Sequence, residues 1–143
     1  MTVAGIILDT NVVSEPLRPV GNPKVIAWLD RQAQDTLFLT ATSLSELLTG
    51  VRILPEEKRK ERLEAALNDV LPRIFGPRIL GFDRVAAEEY SRIVSRARAR
   101  GLAISFPDAQ IAAIASVHGF AVATRDAGPF RAAGVAVIDP WAE

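Results

Sequence analysis

Short, continuously apolar runs that alternate with helical patterns are the feature that most constrains how this 143-residue chain can fold. Strands that are apolar on both faces need cover on both faces, and helices between consecutive strands favour parallel pairing. The sequence therefore predicts an α/β fold with a central, mostly parallel five-stranded sheet flanked by helices on both faces. The predicted strands are GIIL (5–8), LFLT (37–40), RILGF (78–82), AVAT (121–124) and VAVID (135–139).

Residues typical of helix ends separate these strands. Asn22 followed by Pro23 is typical of an N-cap and a first helical residue. Gly101 and Gly119 each follow a long helical pattern and are typical of left-handed helix ends. The predicted helices begin at or directly after Asn22, Ser43, Pro55, Asp83 and Pro107.

Composition narrows the class of protein. Hydrophobic residues make up 49% of the chain and charged residues 24%, with a mean hydropathy of +0.18, which is typical of a globular domain. The length suits one domain over residues 1–143. No apolar run approaches the roughly 20 residues of a membrane span, and we see no signal peptide. The absence of cysteine excludes disulfide and thiolate chemistry, and we expect a cytoplasmic protein.

Four carboxylates fall where chemistry is expected in such a sheet, because ligands of open α/β folds bind beyond the carboxyl ends of the strands. Asp9 directly follows the first predicted strand. Glu46 lies in the first turn of the predicted helix that follows the second strand. Asp108 lies in the first turn of a later helix, and Asp126 follows the fourth strand by two residues. We expect these four side chains at one edge of the sheet.

Each acid also has an ordinary structural explanation, since caps, helix dipoles and turns all favour acids at such positions. The alternatives are a cap for Asp9 or Asn11, a capping box of Ser43 with Glu46, a dipole contact for Asp108 and a turn for Asp126. Asp83 also follows a strand, and we interpret it as a cap alone. Convergence decides between the two explanations, because clustered carboxylates repel unless a cation lies between them.

The available ligand atoms favour a hard cation and hydrolysis. Oxygen donors, with no cysteine and one histidine, select Mg²⁺ or Mn²⁺ over zinc, and such ions activate water and neutralise phosphate charge. His118 precedes a helix-ending glycine, where histidine commonly contacts the last carbonyls. The chain has no G-x-S-x-G elbow, Walker loop or G-x-G-x-x-G motif. Metal-assisted hydrolysis is the chemistry that remains.

Nearly the whole chain resembles the PIN-domain ribonucleases, and within them the VapC toxins of type II toxin–antitoxin pairs, particularly the FitB-like branch. The order and spacing of the matching segments agree with the family. These segments are ILDTNVVSE (7–15), ATSLSELLTGV (41–51), FPDAQIAAIASVHGFAVATRDAGPF (106–130) and VAVIDPW (135–141).

The resemblance implies Mg²⁺- or Mn²⁺-dependent endonucleolytic cleavage of RNA, usually tRNA or rRNA, with 5′-phosphate and 3′-hydroxyl products. The implied catalytic residues are Asp9, Glu46, Asp108 and Asp126. Asp9 and Asp108 match the principal metal ligands, direct or through water. Asn11 and Thr124 fill supporting polar positions, and the position of Asp126 is the most variable of the four acids in the family.

RNA that approaches an acidic pocket needs positive charge nearby. Because 17 basic residues balance 17 acidic ones, the chain has no net positive charge, and this positive charge must come from a local cluster of basic residues. Arg92, Arg96 and Arg100 share one helical face, although arginine also decorates helix C-termini for structural reasons. Arg125, next to the last of the four acids, is the better candidate for a phosphate contact. KRKER (58–62) interleaves acids, and we interpret it as a solvated charged face.

Two predicted helices carry apolar residues that are mostly core but could in part form a groove for an amphipathic partner helix. These residues are Val25, Ile26, Trp28, Leu29, Leu47, Leu48 and Val51. The resemblance implies a cognate VapB/FitA-like antitoxin that fills a groove and inserts a basic residue into the acidic pocket. It also implies a homodimer, a higher assembly with antitoxin, and DNA binding only through the antitoxin.

Two other functions compete with the nuclease. A catalytically silent RNA- or protein-binding module of the same fold would use the acids only as caps, and metal-dependent RNA cleavage discriminates against it. A phosphatase or receiver-like Mg²⁺ domain requires a second acid close to its nucleophilic aspartate and an active-site lysine late in the chain. The segment DTN (9–11) offers no D-x-D, and Lys60 is the last lysine.

Overall fold

The computed structural model describes residues 4–143, which form five strands and eight α-helices. The strands are β1 (Ile6–Leu8), β2 (Leu37–Thr40), β3 (Ile79–Leu80), β4 (Ala121–Ala123) and β5 (Val137–Ile138). The helices are α1 (Thr10–Ser14), α2 (Pro23–Arg31), α3 (Ala41–Arg52), α4 (Lys58–Ala65), α5 (Leu71–Phe75), α6 (Arg84–Ala99), α7 (Phe106–His118) and α8 (Ala127–Ala132). None of these helices in the described range is long and apolar enough to cross a membrane.

The predicted parallel sheet is confirmed. Its order is β3-β2-β1-β4-β5, and every neighbouring pair is parallel. The chain leaves the central strand β1 towards β2 and β3, then crosses to the other side to form β4 and β5. The strand order therefore reverses between β1 and β4, which is where α/β sheets open a crevice for ligands.

The three inner strands match the predicted ones to within one residue, whereas the two edge strands are shorter than predicted. β3 pairs only with Leu39 and Thr40, and β5 only with Val122 and Ala123. An edge strand has one neighbour, so its length is limited by the part of that neighbour that it meets.

Both faces of the sheet are covered, as the continuous apolar runs predict. Leu8 belongs to a core layer built with α1, α2, α3 and α5, while Ile7 belongs to a second layer built with α6, α7 and α8. Adjacent residues of one strand point to opposite faces, so each layer takes alternate residues of β1. α7 is buried almost all round, through residues that include Ile111, Ile114 and Ala115.

Several predicted helix ends are confirmed. Asn22 Oδ1 accepts from the backbone N–H of Lys24 at 2.9 Å, and Asp83 Oδ1 accepts from that of Ala86 at 3.0 Å. Gly101 and Gly119 end α6 and α7 with φ values of 73° and 70°. These positive φ angles are easily adopted only by glycine.

The predicted start of α3 at Ser43 is wrong. Thr40, the last residue of β2, caps α3 by accepting the backbone N–H of Ser43 at its Oγ1 at 3.0 Å. Ser43 therefore lies inside the first turn, where its buried hydroxyl has no hydrogen-bond partner among the described residues. The capping box of Ser43 with Glu46 is consequently wrong as well.

The charged helix also differs from its prediction. It begins at Lys58, not at Pro55, and its backbone continues through a π-helical turn at Ala66–Val70 into α5. Pro72 accounts for the turn, because proline lacks an N–H and its ring clashes with the preceding turn of a regular α-helix. A π turn is one way in which a helix absorbs that irregularity.

Candidate functional site

An open depression of about 410 Å³ lies beyond the carboxyl ends of β1 and β4, where the strand order reverses. All four predicted acids line it, so the structure brings together residues from four separate segments of the chain. The lining residues are Asp9, Thr10, Asn11, Ser14, Glu46, Asp108 and Asp126. We call this depression the acidic pocket.

Asp9 is the most buried of these acids, with 7% of its surface exposed. Its Oδ1 accepts from the backbone N–H of Thr10 at 2.8 Å, and its Oδ2 accepts from the Thr124 hydroxyl at 2.8 Å. Burial raises the pKa of Asp9, the two hydrogen bonds lower it, and the charges of Asp108 and Asp126 raise it further. Asp9 does cap α1, but a cap alone gives no reason to bury the carboxylate beside two other acids.

Glu46 is positioned by the early start of α3, which places it in the second turn and not in the first. The Thr10 hydroxyl donates to Glu46 Oε1 at 3.2 Å. Desolvation raises the pKa of Glu46, the Thr10 hydrogen bond lowers it, and the charges of Asp9 and Asp108 raise it further. Thr10 and Ser14 also line the pocket and were not predicted, although Thr10 lies between Asp9 and Asn11, and Ser14 follows Asn11 by almost one helical turn.

The remaining two acids are not engaged as helix caps. Ser105 caps α7, because its hydroxyl accepts from the backbone N–H of Asp108 at 3.3 Å. Asp126 occupies the N-cap position of α8, a helix where the sequence suggested only a turn, and its side chain makes no capping hydrogen bond. Both carboxylates are therefore available to the pocket.

Thr124 joins the ends of β1 and β4. Its fully buried hydroxyl donates to Asp9 and accepts from the backbone N–H of Asp126 at 3.0 Å and from Asn11 Nδ2 at 3.4 Å. Asn11 Oδ1 in turn accepts from the backbone N–H of Arg125 at 3.3 Å. One hydroxyl thus uses its donor and both acceptor positions, which fixes two acids relative to each other.

No basic side chain in the described part of the chain lines the acidic pocket. Within residues 4–143, none of the salt bridges involves its four acids. No three acidic or histidine side chains in that range lie close enough together to ligate one metal ion directly. The acids line the pocket without meeting at one point, which suits a hard cation that keeps part of its water shell, as Mg²⁺ does. The donor set therefore fits such an ion.

Arg125 precedes the pocket residue Asp126 in the chain but does not itself line the acidic pocket. Its backbone is tied to Asn11, while its guanidinium lies over the ring of Trp141, 5.3 Å from the centroid. A cation held over an aromatic face retains its charge, so the side chain can still attract a phosphate.

The other three predicted arginines do not line the acidic pocket either. Arg92 Nε donates to Glu89 at 3.1 Å. Arg96 and Arg100 line a separate depression of about 710 Å³ together with Arg131. The structure therefore separates this arginine stripe from the four acids.

An apolar cleft of about 300 Å³ lies on the other side of α1. The apolar residues of the two predicted helices are mostly buried core, as expected, among them Val25, Trp28 and Leu47, and of these residues Leu29 lines the cleft. The other walls come from β1, α1, the segment after α1 and the helical stretch around the π turn. They include Leu8, Val13, Leu17, Leu67, Val70 and Ile74.

Residues 6–135 match the family model of the PIN domain. The plasmid stability protein StbB of Pseudomonas syringae pv. tomato and the toxin FitB of Neisseria gonorrhoeae are each 46% identical to this chain over 136 residues. Each alignment covers 95% of this chain and 98% of the relative. The VapC ribonuclease Y4jK of Sinorhizobium fredii is 42% identical over 137 residues, covering 95% and 97% of the two chains.

Solved structures agree with these relatives. The FitAcB complex from Neisseria gonorrhoeae contains a chain that superposes with a TM-score of 0.92 at 46% identity, covering 95% of this chain and 98% of that one. A FitAB complex bound to an IR36 DNA fragment gives a TM-score of 0.92 at 44% identity, covering 95% of both chains.

Proposed function

The chain belongs to the PIN-domain family, and from this premise we propose that it is the toxin of a type II toxin–antitoxin pair and a metal-dependent endoribonuclease. The observation that carries the proposal is the convergence of Asp9, Glu46, Asp108 and Asp126 in one pocket without a protein cation. The 46% identity to the toxin FitB and the 42% identity to a VapC ribonuclease support the same function.

The four acids divide the catalytic work between them. Asp9 and Asp108 would hold a Mg²⁺ or Mn²⁺ ion, directly or through water, because both carboxylates line the pocket and Asp9 is already oriented by two hydrogen bonds. When bound, the ion lowers the pKa of water and neutralises charge on the scissile phosphate. Glu46 and Asp126 would complete the outer coordination and orient the attacking water, because both carboxylates line the same pocket.

The supporting residues keep these groups in place and attract the substrate. Thr124 and Asn11 fix the position of Asp9 relative to the start of α8. Arg125 contacts a phosphate of tRNA or rRNA, and cleavage leaves a 5′-phosphate and a 3′-hydroxyl. Because the substrate is cellular RNA, we place the protein in the cytoplasm.

The partner is a cognate VapB/FitA-like antitoxin that docks an amphipathic helix in the apolar cleft. α1 supports this arrangement, since Leu8 and Val13 line the cleft while Asp9 and Ser14 line the acidic pocket. A segment that fills the cleft can therefore direct a basic residue past α1 into the pocket. We further propose that the chain forms a homodimer, and that this dimer pairs with a second toxin dimer when antitoxin is bound. Only the antitoxin then contacts DNA.

RNA cleavage by the purified chain tests the nuclease. A tRNA and rRNA pool is incubated with wild-type protein in Mg²⁺, Mn²⁺ or EDTA, and with the variants Asp108→Asn and Asp83→Asn. We expect cutting by wild type in either metal, none in EDTA, none by Asp108→Asn, and full cutting by Asp83→Asn, whose new asparagine still caps α6. RNA that is bound but never cut in either metal would instead identify a silent binding module.

A further inference from the structure

The charged segment KRKER (58–62) contains two kinds of basic residue. Lys60 is buried and pairs with Glu56 at 2.7 Å and Glu64 at 3.9 Å. Arg59 and Arg62 are exposed and take part in none of the salt bridges within residues 4–143. Glu56 and Glu64, which flank the segment, therefore pair with Lys60 and leave the two arginines available to another molecule.

Both arginines lie on the face of α4 that continues into the apolar cleft. Arg59, Arg62, Leu63 and Ala66 are spaced i, i+3, i+4 and i+7, which places them on one side of a helix. They line a depression of about 420 Å³ whose facing wall includes Leu17. The face is thus basic at its start and apolar from Leu63 onwards.

This depression and the apolar cleft adjoin each other, because Pro16, Leu17 and Ala66 line both of them. We call the two adjoining surfaces together the joint groove. Its apolar end includes Val70 and Ile74, which are 42% and 38% exposed. Its other end carries two arginines, so the two ends of the groove differ in charge.

We propose that the joint groove binds a helical protein segment whose apolar stripe ends in acidic residues, with the stripe on the cleft and the carboxylates on Arg59 and Arg62. This rests on the proposed antitoxin partner and adds the chemistry and direction of its docking segment. Arginine forms bidentate contacts with carboxylates, and charges at the rim of an interface fix register and reject wrong partners. RNA is the weaker candidate for this surface. The helix face that carries Arg59 and Arg62 continues into an apolar cleft, and neither arginine lines the acidic pocket.

Two synthetic helical peptides provide the test. They share one apolar i, i+4 stripe, and one ends in two glutamates while the other ends in two lysines at the same positions. Fluorescence anisotropy measures their affinity for wild type and for Arg59→Glu/Arg62→Glu. We expect wild type to bind the glutamate peptide about tenfold more tightly, and the double variant to reverse this preference. Lys58→Glu, on the same helix but outside the groove, should behave as wild type.

The remaining arms separate this inference from the proposed function. Val70→Glu should weaken both peptides, since it places a charge in the cleft. If it does so while reversal of the arginines leaves the preference unchanged, the cleft binds a helix but the inference about charge and direction is overturned. Equal binding of the two peptides by wild type, or binding of neither, also overturns it.

RNA cleavage by the arginine variant should equal that of wild type, and its loss would assign Arg59 and Arg62 to RNA. Arg59→Gln/Arg62→Gln, with circular dichroism, controls for folding.

Discussion

The acidic pocket and the apolar cleft are adjacent surfaces on opposite sides of the short helix α1, yet they are built by different means. The pocket is assembled from polar atoms, and each acid comes from a different segment. The cleft is lined almost entirely by apolar side chains from β1, α1 and the π-helical stretch. One five-residue helix serves both, because Thr10, Asn11 and Ser14 lie on its pocket side and Val13 lies on its cleft side.

The contrast shows how differently the two surfaces tolerate change. The pocket depends on individual hydrogen bonds, such as those of the Thr124 hydroxyl, and losing one partner leaves a buried polar group unsatisfied. The cleft depends on total apolar area, to which each side chain contributes only a part. Substitutions on the two sides of α1 should therefore have separable effects.

Asp9→Asn should produce the largest effect. It removes a carboxylate that we propose as a metal ligand while keeping the size of the side chain, so RNA cleavage should fall about 10³-fold or more. Binding of the glutamate-ended peptide to the cleft should stay within about threefold of wild type, because Asp9 does not line the cleft and asparagine can still cap α1. Loss of both activities in a folded variant would show that the two surfaces are one functional unit.

Ile74→Glu should produce the converse result. A charge in the cleft should weaken peptide binding by about 10- to 100-fold, since an unpaired charge must then be desolvated. Cleavage of RNA should be unchanged. Val85→Glu is the matched control, because Val85 is also an exposed aliphatic residue on a helix but does not line the cleft. Similar losses in the two variants would contradict the assignment of the cleft.

Thr124→Val should have an intermediate effect on the pocket alone. The substitution keeps the shape but leaves Asp9, Asn11 and the Asp126 N–H without their shared partner. The free energy of unfolding, measured in urea, should fall by about 1–3 kcal/mol, and cleavage by about 10- to 100-fold. Thr124→Ser restores the hydroxyl and should recover most of both. If the valine variant cleaved like wild type, the hydroxyl would have no positioning role.

The smallest effect should be the pH dependence of stability without metal. A carboxyl whose pKa is raised by folding stabilises the folded state at low pH and loses that contribution as the pH rises through its folded pKa. The pKa values of Asp9 and Glu46 are both raised in part by the charge of Asp108.

In EDTA, Asp108→Asn should therefore melt a few degrees above wild type near about pH 7, and this gap should close near about pH 4. Differential scanning fluorimetry over that range measures it. Saturating Mn²⁺ should stabilise wild type more than the variant, because a ligand stabilises the state that binds it. A gap that does not depend on pH would argue against repulsion between these acids.

Much of the fold could be predicted from local sequence. Strands β1, β2 and β4 are short apolar runs, and Asp83, Gly101 and Gly119 mark helix ends by rules that need no tertiary information. The start of α3 could not be predicted in this way, because Thr40 and Ser43 are both good caps. The choice depends on where β2 ends, which its pairing with β1 and β3 determines.

The site was predictable in its acids but not in its contacts. Strand ends indicated Asp9 and Asp126, since parallel strands end at the same edge of the sheet. The hydrogen bond from Thr10 to Glu46 joins residues 36 positions apart, and that from Thr124 to Asp9 joins residues 115 apart. Such pairs depend on packing distances that no local pattern encodes. The helical spacing of Arg92, Arg96 and Arg100 was predicted correctly. That spacing could not show that their side of α6 faces away from the acidic pocket.

The central claim is that four acids form one cation site, and direct titration with Mn²⁺ tests it best. Isothermal titration calorimetry should show binding to wild type. Asp9→Asn, Glu46→Gln, Asp108→Asn and Asp126→Asn should each weaken it by about tenfold or more, and Asp83→Asn should leave it unchanged. An affinity that is the same in all six proteins, or a wild type that takes up no Mn²⁺, would contradict the account.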